Sequence, residues 1–577
     1  MKDLFNLDKL EAMVDQLKNV ADTGKLPEAN DIELKIPVPP LLDIQEVKPF
    51  AKAGKNIIGF EVLGGRFTDS SFAGLNLSKA RFFEIDFTGT RFTKCDLTDT
   101  VFDSCILTET DFTDIEGDNL SIFDSRIADA RFDRSTLNMA LIENCDATGA
   151  SFRKTKMIGA TLDTVDLTGV TFAGADLTAL NLENLSAKSV NFENAVLSQI
   201  DWTALDLTAA NLSGTRGESM RLTQCCLREA EMAKAVWKEP ELTECDLTEA
   251  DLWGFSSVSL EAVDCIFDDA ILRYAKFKKA ELPGINLVEQ DLVGTDFSAA
   301  NLSGADFTDA ELYKSKFVQA EIGEADFTGT ACAGADFQKA SGKKAKFVEA
   351  DFAGAVMSLG TFNESDFTGA DFSDVEIVSA SFHKCEFADA IFEGAYIEKT
   401  AMMKSHFSGN DFMDASLYNS DFREADLSGA DLTEVAVRKA DFRKANLSGA
   451  KMNALEGDAA DFSGADLTGV QCRNSSIPYC QFIGANLTEA SFHGSNMQYA
   501  NLRNADCTET DFSKADLLQS IFEFAQLTET DFTGADCRRS AFHMADDRNA
   551  IWDGTKTRHA RYTDKERAEA EQFQPKK

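Results

Sequence analysis

An all-β solenoid is the fold class this sequence predicts, and three observations predict it. A five-residue period runs through almost the whole chain, as in Ala425-Asp426-Leu427-Ser428-Gly429 followed by Ala430-Asp431-Leu432-Thr433-Glu434. Each period carries one large apolar residue at its centre and a small one (Ala, Cys, Ser, Thr or Val) two places earlier. If both point inward they fill a narrow interior, a spacing that matches neither the 3.6-residue period of a helix nor the two-residue alternation of an ordinary strand. Composition excludes a disordered low-complexity chain, because 44% of residues are hydrophobic and 27% charged, both ordinary for a folded protein. Such self-similarity marks a stack of units that bury their cores only against their neighbours.

The register does not slip. Centres recur at every fifth residue from Phe67, Phe72, Leu77, Phe82 and Phe87 to Phe542 and Trp552. The residue before the centre is usually Asp or Asn; Ser or Thr follows it, and then Gly or a charged residue. This consensus resembles the pentapeptide-repeat family over roughly residues 62 to 552. The resemblance implies a right-handed quadrilateral β-helix in which four pentapeptides make one coil of about 20 residues. Stacked at the inter-strand spacing, the repeats would give about 24 coils and a rod of order 115 Å.

Residues twenty apart should then stack, and the sequence offers such columns. Phe72, Phe92, Phe112, Phe132, Phe152, Phe172 and Phe192 form one; Phe307, Phe327, Phe347, Phe367, Phe387 and Phe407 form another. Cys105, Cys145, Cys225, Cys245, Cys265 and Cys385 share a third, at the small inward position, and read as core residues more readily than as a metal ladder. Of the cysteines, Cys226 alone stands at a usually outward position. Gly117, Gly217, Ser257 and Gly457 replace the large centre on one side, which is expected to be filled by neighbours such as Trp237 or Trp253; a notch for a partner's side chain is the alternative.

Three regions follow. Residues 1–60 hold an amphipathic helix over residues 3 to 20, built on Leu4, Leu7, Leu10, Val14 and Leu17, and an extended link at Ile36-Pro37-Val38-Pro39-Pro40-Leu41-Leu42. This region is expected to cap the rod or to dock. Residues 61–555 form the β-helix, and residues 556–577 a polar helical tail that closes the rod loosely or stays mobile. No apolar run reaches eighteen residues and no signal-like start opens the chain, so the expected location is the cytoplasm.

Catalytic motifs are missing: there is no H-E-x-x-H, Walker loop, G-x-G-x-x-G or G-x-S-x-G, and His383, His406, His493, His543 and His559 are scattered on outward or tail positions. No cofactor or metal is expected, and the chain reads as non-enzymatic. Its charge is more informative. With 97 acidic against 57 basic residues the formal charge is −40, which disfavours nucleic acid and anionic membrane and favours a protein partner with a basic surface.

That charge is segregated by column. Two places after the centre, one side reads Asp69, Glu109, Asp129, Glu229, Glu249, Asp269, Glu289, Asp309, Glu349, Asp389, Glu489, Glu509 and Glu529, with no basic residue in the column. One place before the centre, the same side adds Asp146, Asp166, Asp206, Asp246, Asp306, Asp326, Asp366, Asp426, Asp466 and Asp506. The opposite side carries Lys79, Lys279, Lys339, Lys399, Lys439 and Arg539 against Asp99 and Glu239. A third column, Lys344, Glu364, Lys384, Lys404, Glu424 and Lys444, mostly alternates in sign as a salt-bridge ladder should.

Glu229, Glu249, Asp269, Glu289, Asp309, Glu489, Glu509 and Glu529 are therefore the candidate partner-binding residues. Two functions fit. One is a rod-like interaction scaffold, which the resemblance places among accessories of bacterial secretion or assembly systems. The other is mimicry of DNA against a type II topoisomerase, known within the same family. The charge density, roughly one net charge per 2.9 Å against 1.7 Å for a duplex, and its concentration on one side favour the scaffold.

Overall fold

Each pentapeptide folds as a short extended stretch closed by a four-residue turn. In the unit centred on Leu227, the Ala230 amide donates to the Leu227 carbonyl at 3.1 Å. Glu229, third in that turn, has a φ of 55°. A positive φ at this place is what glycine adopts freely, as at Gly429 (φ 68°), and what other residues hold at a cost of about 1–2 kcal/mol. The frequent Gly two places after the centre has this conformational cause. The turn is also pinned by the residue before the centre: the Ser428 amide donates to Asp426 Oδ1 at 3.1 Å.

The structure is a computed structural model that describes residues 41–42 and 58–572. The expected helix over residues 3–20 lies outside the described residues. The short strand β1, Leu41–Leu42, pairs in parallel with β2, Glu61–Arg66, in the register Leu41↔Glu61, so the end of the Pro-rich link extends the ladder. β2 pairs in turn with β3, Arg81–Asp86. The twenty-residue register continues along the rod to Ala541↔Arg561. The fold is an all-β parallel solenoid with four five-residue sides per coil.

The expectation of about 24 coils is not matched by as many continuous strands. Among the described residues, 17 strands have three or more residues, and elsewhere isolated bridges carry the ladder. The reason is local: turns at both ends of a five-residue side leave one residue in ladder geometry.

The interior is filled as the columns require. Phe112, Phe132 and Phe152 stack at 4.7 and 4.8 Å, and Phe307, Phe327 and Phe347 at 4.6 and 5.0 Å, with nearly parallel rings. Most hydroxyls at the small inward position donate to the preceding coil, as Ser135 Oγ does to the Phe112 carbonyl at 2.8 Å, and others to their own coil, as Thr215 Oγ1 does to the Leu212 carbonyl at 2.7 Å. The thinned side is not notched. Met220 fills the space over Gly217, Leu137 that over Gly117, and Ile477 that over Gly457. Trp237, buried with its indole N–H on Thr215 Oγ1 at 3.1 Å, pairs in register with both Gly217 and Ser257. Trp253 fills nothing: it is 41% exposed.

The ladder breaks locally beside some bulky residues at the small position, although others, such as Phe255 and Met220, leave it intact. Bridges are missing between 166 and 186, beside Leu185, and between 266 and 286 and between 271 and 291, beside Ile285 and Gln290. At the second seam the Gln290 side chain, with its amide oriented to suit, donates to the Ala270 carbonyl at 3.0 Å and accepts from the Asp269 amide at 3.1 Å, replacing lost ladder bonds.

The same seam changes the cysteine expectation. All thirteen cysteines are free thiols and eleven are buried; besides Cys226, Cys265 is also partly exposed, beside the break between its coil and the next. Burial pushes the Cys105 thiol up to about 11 and the Cys332 thiol up to about 12. A maleimide applied to native protein and read by mass spectrometry should label Cys226 and Cys265 and leave the other eleven unmodified. Labelling of Cys332 at a comparable rate would show that the core opens.

At the C-terminal end, helix α1, Lys565–Gln572, lies against the side of the rod. Arg567 grips Glu523 two coils back through paired bonds of 3.0 Å, and Glu571 meets His543 Nε2 at 3.0 Å. His543 is thus buried at 3% exposure, contrary to the outward placement read from its register, because the tail folds over it.

Candidate interaction surface

The acidic column is built from the turns. Glu229, Glu249, Asp269, Glu289, Asp309, Glu489, Glu509 and Glu529 all sit third in their turns with positive φ, and all are exposed. Asp and Asn tolerate that conformation better than Glu, and Gly best of all. Conformation therefore does not call for Glu at Glu229, Glu249 or Glu289, nor does it explain why the equivalent column opposite carries lysine. Asp69 leans over Gly89 in the next coil and Asp129 over Gly149, whereas Asp389 leaves the space over Gly409 open. Glu229 to Asp309 and Glu489 to Glu529 are instead runs in which each acid but the last is followed by another acid.

Among the described residues, the one ion pair made by these eight carboxylates is Glu249 with Arg228, at 3.9 Å. Unit charges one coil apart in water repel by about 1 kcal/mol. That repulsion is what a cationic partner would relieve.

The aspartates one place before the centre, read from the sequence as belonging to the same charge, serve the fold. Asp306 Oδ1 accepts from the Thr308 amide at 3.0 Å and its hydroxyl at 2.6 Å; Asp206, Asp366 and Asp466 make the same pair of bonds. The threonine hydroxyl is the leading influence at Asp146 and Asp206, whose carboxyls lie below their usual range. At Asp246 and Asp326 burial pushes upward and is outweighed by the threonine bonds together with Arg228 and Lys346.

The alternating column is less regular than its spelling. Lys404 reaches Glu424 at 3.4 Å, but Glu364 is taken at 3.4 Å by Lys343, which precedes the column residue Lys344. On the opposite side, Lys399 is held by Glu398 at 2.6 Å and Lys439 lies 5.8 Å from the Tyr418 ring. Among the described residues, no group of three or more His, Cys, Asp or Glu side chains could hold a metal ion, and no helix is long and apolar enough to cross a membrane.

Comparison with known families decides what the repeat is. The family model described as a pentapeptide repeat region matches residues 65–142. That for pentapeptide repeats, in eight copies, matches 145–184, 188–216, 291–329, 320–358, 360–394, 411–449, 458–494 and 495–534. The chain belongs to the pentapeptide-repeat family.

No curated protein matches this pentapeptide-repeat protein. Among solved structures it is similar to HetL, a pentapeptide-repeat protein involved in heterocyst differentiation regulation in the cyanobacterium Nostoc, at 23% identity over 38% of this chain and 91% of that one, with a TM-score of 0.23. A pentapeptide-repeat protein of the Arabidopsis thaliana thylakoid lumen is 34% identical over 17% of this chain and 69% of its own, with a TM-score of 0.17. Full-length QnrB1, a plasmid-mediated fluoroquinolone resistance protein, is 18% identical over 40% of this chain and 96% of its own, with a TM-score of 0.20.

Sequence reasoning missed a second surface feature. Ile266 and Ile271 replace the usual polar residue one place before the centre on two consecutive sides of one coil, and are 46% and 49% exposed. Trp253 and Tyr274 lie on the side that begins at Ile271, their rings edge to face at 6.5 Å. The signal was available, since no other described coil has large apolar residues at both of these positions.

Proposed function

We propose that this pentapeptide-repeat protein is a non-enzymatic interaction scaffold that binds a protein partner with a basic surface through its acidic column. The observation that carries this reading is the run of Glu229, Glu249, Asp269, Glu289 and Asp309, exposed in five successive coils on residues whose backbone favours glycine. Structural needs absorb the neighbouring aspartates and leave this run unexplained. A stiff rod with charge on one side suits the ordering of partners along its length, as an accessory of a secretion or assembly system would require. The competing reading, a DNA mimic acting on a type II topoisomerase, calls for charge spread around the girth.

Changing all five residues to Gln or Asn tests it. The fold should remain and be slightly more stable, because the repulsion removed along the column outweighs the single long ion pair of Glu249 with Arg228 at 3.9 Å. Partners captured by the wild type should bind about tenfold or more weakly, at a few tenths to 1 kcal/mol per exposed charge, with a flatter salt dependence. Lys279, Lys339 and Lys399 changed to Gln are the control. Wild-type binding by the five-fold variant across a salt series would reduce the column to a solubilising surface, and inhibition of gyrase by the pure protein would favour mimicry.

A further inference from the structure

We propose that the exposed apolar patch of Ile266, Ile271, Trp253 and Tyr274 is a docking site for a protein segment that interleaves Lys or Arg with large apolar side chains. The inference rests on the acidic-column reading and specifies its partner.

Four observations converge on these coils. The patch lies between the family-matched segments 188–216 and 291–329, where the chain departs furthest from its own repeat. Its residues are large and exposed, Trp253 and Tyr274 in ring contact and Ile266 and Ile271 on two successive sides of one coil, and Trp and Tyr are the side chains on which binding energy concentrates. Tyr274 lies flat over Gly294, where any Cβ would clash with the ring at 2.7 Å, so the aromatic surface is held open by a glycine. The seam after Ile266 and Ile271 leaves the Phe267, Leu272, Asn286 and Asp291 amides without the ladder bonds made in most other coils.

Charge decides the occupant. Asp269 lies in sequence between Ile266 and Ile271, and Glu249 and Glu289 hold the same column one coil before and after. The Trp253 ring already draws a cation, the Lys234 ammonium, 4.9 Å from its centroid. The other cations near the patch are engaged: Arg273, 6.0 Å from the Tyr274 ring, is paired with Asp291 at 3.0 Å, Arg228 with Asp246 at 3.3 Å, and Lys314 lies over the Tyr313 ring at 4.7 Å. An apolar segment flanked by acids would meet repulsion here; one flanked by Lys or Arg meets carboxylates and an aromatic face.

Fluorescence anisotropy of short labelled peptides with the full chain tests the site, using alternating Lys–Leu, Lys–Ser and Glu–Leu sequences. The Lys–Leu peptide should bind at least about tenfold more tightly than either other. Ile266→Ser combined with Ile271→Ser should weaken it about tenfold, while Ile391→Ser, at an exposed isoleucine of the same column as Ile271, should not. In the wild type the same peptide should shield Trp253 from acrylamide, read against Trp253→Phe, a measurement that needs no variant at the isoleucines. Equal binding of Lys–Leu and Lys–Ser, both weakened by the five-fold acidic variant, would overturn the docking site and leave the acidic column standing. Loss of Lys–Leu binding in the isoleucine variant with none in the five-fold variant would overturn the basic character assigned to the occupant.

Discussion

Phe367→Ala is expected to destabilise the rod by about 3–5 kcal/mol and to divide its unfolding into two steps. Phe367 is fully buried, with parallel rings at 4.7 Å on Phe347 and 5.1 Å on Phe387, and edge contacts to Phe362 and Phe382. Alanine leaves a cavity that neighbours cannot close, because every one is fixed by its own column. In a solenoid each coil touches only the next, so the loss falls on one inter-coil boundary and uncouples the segments on either side. Urea unfolding followed by circular dichroism should show a single transition in the wild type and two in the variant. Phe367→Leu, which keeps most of the volume, should cost less than about 1.5 kcal/mol. A midpoint for Phe367→Ala unmoved from that of an exposed change such as Lys404→Ala would contradict the stacked core.

Stability should also depend strongly on acid, with two opposing phases. The net charge of −40 repels itself, so titration from neutral pH towards the sequence pI of about 4.5 should first raise stability modestly. Below that the turn aspartates dominate. Asp146, Asp206, Asp246 and Asp326 have carboxyls lowered in the folded chain, against about 3.9 for an unfolded aspartate. A lowered folded value contributes stability that is present above about pH 4 and is lost as pH falls through the folded value. The repeat multiplies this small term along the rod, so melting temperatures should collapse below about pH 4. The combined variant D146N, D206N and D246N should be less acid-sensitive while keeping its turns, because Asn serves elsewhere: Asn446 Oδ1 accepts from the Ser448 amide at 3.1 Å. Unchanged acid sensitivity in that variant would place the titrating groups elsewhere.

The sequence by itself determined the core and its stacking. A centre at every fifth residue puts Phe307, Phe327 and Phe347 in one column whatever the partner contacts, because an unbroken period converts sequence position directly into place on the coil. The acidic column was legible for the same reason. Only the tertiary structure decided which carboxylates are available. Asp306 and Asp309 belong to the same side of the same coil, yet the first is held by the Thr308 amide and hydroxyl while the second stands exposed. Periodicity ranks positions as inward or outward but does not show contacts that break the period. His543 is buried because the tail returns over it, and Cys265 is partly exposed because Ile285 and Gln290 lie at a break in the ladder beside it. Each depends on where side chains from other coils or the chain end come to rest, and that is set by volume and hydrogen bonding across the stack.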